Sequence, residues 1–383
     1  MSVSAPNGFR AAGVAAGLKS TGAQDVALVV NDGPDDAAAA VFTTNRFPAA
    51  PVQWSRQVLQ SGRVRAVVLN SGGANACTGP EGFQDTHATA EHAAAELGIG
   101  AIDVAVASTG LIGVRLPMDK LTAGVTAAAQ GLSGDGGQDA ARAIMTTDSV
   151  PKTTVQTRDG WTVGGMAKGA GMLAPSLATM LVVLTTDAVV DAGTLQTALK
   201  EASSVSFERV DSDGCLSTND TVIVMANGAS GVTPSAEEVA EALTAACTDL
   251  AMQLLADAEG STKDIAITVR NAASVEDALT AGRACARNNL LKTALFGNDP
   301  NWGRVLAAIG TTDAAFEPDR VDVTINGVTV CRGGAIGDRR EGVDLTGREI
   351  TIDVDLRAGG EQATIWTNDL SIAYVHENSA YST

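Results

Sequence analysis

Residues 164–180, GGMAKGAGMLAPSLATM, set the tightest limit on how this chain can fold, because they run without a break into the apolar stretch 181–184. Glycine permits backbone conformations and close approaches that other residues resist, and proline fixes one dihedral, here at Pro175. Two readings fit. Either the segment is a tight turn between buried strands, or it brings the backbone close to a partner and holds Thr179 in a fixed position.

On either side, the pattern is that of a mixed α/β chain. Short apolar runs at 27–30, 65–69 and 104–107 end in turn residues, and the Ala-rich stretches 84–97 and 118–132 read as helices. After the glycine-rich segment, 194–205 reads as a helix. Ser235 with Glu238 forms a capping box that opens a longer one. Val239, Leu243, Ala246, Leu250 and Leu254 give that helix an apolar stripe to bury in a core. Ser274 with Asp277 opens another helix in the same way. The last fifth turns to strands: Val321, Val323 and Ile325 alternate, Asn326-Gly327 marks a hairpin, and 350–356 and 363–366 come after it. The expected fold is α/β or mixed α+β, with no strand order implied. The length of 383 residues suits two lobes or one large domain.

Only 3% of residues are aromatic although 45% are hydrophobic, so Ala, Val, Leu and Ile must build the core. The formal charge of −18 repels phosphate backbones and anionic membranes. No uninterrupted apolar run of membrane-spanning length occurs, and residues 1–20 lack the apolar core of a signal peptide, so the cytoplasm is the expected compartment. Five scattered cysteines (Cys77, Cys215, Cys247, Cys285, Cys331) never show CxxC spacing, which argues against a disulfide framework and a zinc site.

The common catalytic machines find little here. His87, His92 and His376 are the only histidines, and the first two fall on different faces of a helix. No GxSxG elbow is present. Gly169-Ala170-Gly171-Met172-Leu173-Ala174 matches GxGxxA, but a dinucleotide fingerprint opens a helix, whereas Pro175 and an apolar strand come next here. No metal and no resident cofactor are expected.

The stretch 168–181, KGAGMLAPSLATML, resembles the self-cleavage motif of the ornithine acetyltransferase (glutamate N-acetyltransferase) family. NSGGANACTG at 70–79, STGLIG at 108–113, STNDT at 217–221, TALFGNDPNWGR at 293–304 and HENSAYST at 376–383 resemble further family motifs in family order. Two departures stand out: Gly73 replaces an expected Asn, and 212–216 replaces a more usual Asp-Gly-Asp-Thr run.

The resemblance implies a two-lobed autoprocessing fold of mixed sheets and packed helices. It also implies cleavage between Ala178 and Thr179, giving an α chain 1–178 and a β chain 179–383 that assemble as a heterotetramer of two copies of each. Thr179 would then be both nucleophile and N-terminal residue. Its α-amine, with an ordinary pKa near 7.7–8.0 against about 10.4 for lysine, is the better base unless Lys168 is deeply desolvated. Acetyl would pass from N-acetylornithine to Thr179 and on to glutamate, with Thr109 and Gly110 as oxyanion donors. Thr146, Lys168, Thr179, Asn378 and Thr383 match substrate-binding positions, and Glu259 matches an acid that holds the ornithine ammonium or tunes the Thr179 amine. Acetyl-CoA is left open as a second acetyl donor. The alternatives are a self-processed aminopeptidase or amidohydrolase and a non-catalytic acidic binding protein.

Overall fold

The computed structural model describes residues 2–172 and 180–380. Ala178, Thr179 and Thr383 lie outside the described residues.

Three mixed sheets carry the architecture. The first runs Phe9–Val14, Val26–Asn31, Ala66–Asn70, Val104–Ser108, with only the last pair parallel. The second runs Ala37–Phe42, Thr221–Ala226, Leu181–Thr186, Thr162–Lys168, Lys152–Thr157, and its second and third strands are parallel. The third, a separate lobe, has six strands drawn from Asp264–Ala272 and the chain beyond it.

Alternation of side chains explains the stacking. Along Leu181–Thr186, Leu181 and Val183 enter the core shared with the first sheet. Val182 and Leu184 enter the core beneath helices Ala192–Val205 and Ala236–Ala256. Thr221–Ala226 does the same, with Ile223 and Met225 on one side and Val222 and Val224 on the other. Helices Ala50–Val58, Gly79–Leu97 and Met118–Gln130 contact the first sheet. The result is two sheets between two helical layers, packed with small aliphatic side chains as the aromatic-poor composition requires.

The glycine-rich segment joins adjacent antiparallel strands, with Lys168 opposite Leu181. In the third sheet Asn326 and Gly327 both take positive φ, 43° and 82°, and join Asp322–Ile325 to Val328–Arg332 as the two-residue turn expected.

The Ser235 capping box is present in full, and Ser274 Oγ accepts the Asp277 N–H. The stripe from Val239 to Leu254 is buried in the core. Its helix, Ala236–Ala256, is long and apolar enough to cross a membrane by length and composition. Cys247, Cys285 and Cys331 are buried, whereas Cys77 and Cys215 are exposed.

Candidate active site

One cleft gathers the ends of several elements. Thr109 and Gly110 come directly after the first-sheet strand Val104–Ser108, and Lys168 ends Thr162–Lys168. Ser217, Thr218 and Asn219 precede Thr221–Ala226, and Thr146 and Thr147 lie just beyond helix Gly137–Ala143. Glu259 comes after helix Ala236–Ala256, and Asn378 sits on the last helix, Ile372–Ala380. All of these line the cleft, together with Gly171 and Met172.

The wall at Thr109 is held rigidly. Thr109 donates its N–H to Asn70 O (3.0 Å) and accepts the Gly73 N–H at its carbonyl (3.0 Å). Asn219 Nδ2 donates to Ser108 O (2.7 Å) and Ala74 O (2.6 Å), tying this wall to the loop before Thr221. Gly110 has φ +130°, and a Cβ there would come within 2.8 Å of the Gly73 nitrogen, so both conformation and space require glycine. The unexpected Gly73 therefore pairs directly with the Thr109 segment through its backbone.

The Lys168 ammonium donates to Thr109 Oγ1 (3.2 Å). A hydroxyl that accepts from an ammonium keeps its own proton for another acceptor. Among the described residues the Gly110 N–H meets no acceptor. Thr109 and Gly110, which carry these two donors, both line the cleft.

Lys168 is buried, which lowers its pKa; Asp148 opposes the shift, Lys152 adds to it, and Asp220 and Glu259 oppose it. The deep desolvation that would make Lys168 a rival base is present, and three carboxylates counter it. Burial raises the Asp220 carboxyl well above its ordinary value even though it accepts the Met180 N–H (3.1 Å). Met180 O in turn accepts the Thr221 N–H (3.1 Å), so the residue after Thr179 is fixed at both ends of its backbone.

Glu259 accepts from Thr147 Oγ1 (2.7 Å) and donates its N–H to Ala170 O (2.9 Å). A Cβ on Gly171 would lie 2.6 Å from the Glu259 carboxylate. Glycine at this position lets the backbone at Gly171 lie against that acid.

Of the residues expected at the site, Thr109, Gly110, Thr146, Lys168, Glu259 and Asn378 line this one cleft, although they lie up to 269 positions apart in the chain (109 to 378). The cleft also uses Thr147 and Ser217 to Asn219. The motif at 217–221 signals the latter, but nothing in its residues announces which walls Asn219 joins. Asp148 carries no signal of its own in the sequence, because its partners come from distant positions.

The ArgJ family model matches residues 10–383. The arginine biosynthesis bifunctional protein ArgJ of Streptomyces coelicolor is 66% identical over 382 residues, covering 100% of both chains. That of Thermobifida fusca is 63% identical over 383 residues, again with 100% of each chain covered. A crystal structure of ornithine acetyltransferase complexed with ornithine, from Mycobacterium tuberculosis, is 63% identical, with a TM-score of 0.45 over 47% of this chain and 96% of that one. On the match across nearly its whole length, this chain belongs to the ArgJ family.

Proposed function

We propose that this chain is a glutamate N-acetyltransferase that moves acetyl from N2-acetylornithine to glutamate through an acetyl-Thr179 ester, after cleaving itself between Ala178 and Thr179. The observation that carries the reading is the Lys168–Thr109–Gly110 arrangement, in which Lys168 at the end of its strand donates to Thr109 Oγ1 and all three residues line one cleft. The names of the full-length relatives place them in arginine biosynthesis.

Thr179 Oγ attacks the acetyl carbonyl while the Thr179 α-amine takes its proton. The carbonyl oxygen becomes an oxyanion held by Thr109 Oγ–H and the Gly110 N–H. Its collapse expels the ornithine amine, which leaves with the proton carried by the α-amine. Glutamate's amine then attacks the ester, a second oxyanion forms in the same place, and Thr179 leaves as the hydroxyl. Lys168, Thr146, Asn378 and Thr383 supply donors to an α-carboxylate, and Glu259 faces the cationic end or the Thr179 amine.

Self-cleavage uses the same hydroxyl but not the α-amine, which is still the scissile amide nitrogen: Thr179 Oγ attacks the Ala178 carbonyl, the Ala178–Thr179 C–N bond breaks to free that amine, and water hydrolyses the resulting ester, leaving Ala178 as a carboxylate. The products, 1–178 and 179–383, would each keep strands of the second sheet, which interleaves Thr162–Lys168 with Leu181–Thr186 and Thr221–Ala226. That pairing is what would hold the fragments together. We expect a cytoplasmic enzyme with two copies of each fragment and no resident cofactor, and acetyl-CoA as a second donor is a matter for the same assay.

Purified protein given N-acetylornithine should release ornithine beyond the single equivalent that accompanies acetyl-Thr179 formation only when glutamate is present, with N-acetylglutamate as co-product. Equal release without glutamate would make the enzyme a hydrolase and overturn the transfer reading. Thr179→Ala should abolish both cleavage and transfer, since one hydroxyl serves both.

A further inference from the structure

Asp148, in the turn after the Gly137–Ala143 helix, is buried to 8% exposure and makes contacts that the reaction as described does not use. One carboxylate oxygen accepts the Thr146 N–H (2.9 Å). The other accepts the Gly169 N–H (2.7 Å) and the Lys152 ammonium (2.6 Å). Lys152, fully buried, bridges on to Asp257 (2.6 Å), which accepts the Ser149 N–H (3.0 Å). A single side chain therefore ties the substrate-side loop at Thr146 to Gly169 of the glycine-rich segment, immediately after Lys168.

The charge has a purpose on the same geometry. Burial pushes the Asp148 carboxyl up, but Lys168, Lys152 and its hydrogen bonds outweigh that, and it stays ionised. Asp148 is also the strongest of the charges that oppose the lowering of the Lys168 pKa by burial. The other charged groups that act on Lys168 are Lys152, Asp220 and Glu259, with Lys19 coupled to it from the first sheet's side.

We propose that Asp148 is a positioning residue for acetyl transfer: it locks Thr146 to Gly169 and holds Lys168 as an ammonium directed at Thr109. The proposal rests on the acetyltransferase reading above. It assigns Asp148 no contact with substrate. Lys152 and Asp257 belong to the same device, since they neutralise and brace the carboxylate from behind.

The test is the pH dependence of kcat/KM for ornithine release in wild type, Asp148→Asn and Lys152→Met, with folding checked by circular dichroism and cleavage by intact mass. Asp148→Asn removes the anion, so the ammonium loses its proton at lower pH and the alkaline limb moves down. Displacement of the site should also cost about 100-fold in kcat/KM near neutrality. Lys152→Met removes a cation that disfavours the Lys168 ammonium, so the alkaline limb moves up. Loosened packing alone would not drive the same limb in opposite directions.

A wild-type protein that makes no N-acetylglutamate would overturn the acetyltransferase reading and this proposal with it. Active wild type, with the alkaline limb unmoved in Asp148→Asn or only the acid limb displaced, would overturn this proposal alone. Should Asp148→Asn not fold, a Lys152→Met limb that stays in place or moves down overturns it equally.

Discussion

The second and third sheets are both mixed, yet they do different work. Leu181–Thr186 and Thr221–Ala226 in the second sheet are buried at every position, because core lies on both faces. Glu349–Asp355 in the third alternates buried residues with exposed or half-buried ones, because only one face is covered. Lys168, Met180 and Asp220 all sit at the ends of the doubly covered strands, where water is excluded and charges act strongly on one another. Among the described residues, no strand of the third sheet lines the cleft; its lobe reaches the site only through Asn378, on the helix beyond its last strand. A sheet buried on both faces can deliver reactive groups from its water-excluded strand ends to the edge of a cleft, and a sheet with one open face serves as a support.

Breaking the dry side should cost most. Thr109→Val removes an oxyanion donor and the Lys168 contact, and transfer should fall about 100- to 1,000-fold with the fold intact. A loss below about tenfold in steady-state kinetics would move the oxyanion site elsewhere. Leu184→Ala, which opens a cavity in the doubly buried sheet, should destabilise the protein by about 2–5 kcal/mol. Ser235→Ala, removing half of a capping box, should cost less, about 1 kcal/mol. The matching change on the open sheet, Gln362→Ala at an exposed strand position, should stay within about 0.5 kcal/mol. Denaturant melts showing equal losses for Leu184→Ala and Gln362→Ala would erase the contrast between the sheets.

The same contrast sets what can be read from sequence. Periodic and capped segments are legible: Met118–Gln130, Ala192–Val205 and Ala236–Ala256 lie close to their expected limits. Gly79–Leu97 begins five residues before the expected Gln84, because Gly79-Pro80-Glu81-Gly82 looks like a turn while proline suits a helix's first turn. Ala37–Phe42 gives no strand signal because its four alanines favour helix, and only pairing with Thr221–Ala226 makes it a strand. At the site, motif resemblance is enough to bring together Thr109, Lys168 and Glu259. It does not reveal Asp148, whose role exists only once Gly169 and Lys152 fold around it.

The central claim concerns a threonine made reactive by its own liberated amine. Intact mass of freshly purified protein under denaturing conditions tests it most directly. The account predicts two species that divide the chain between Ala178 and Thr179. A single species of 38.7 kDa that never converts would contradict it.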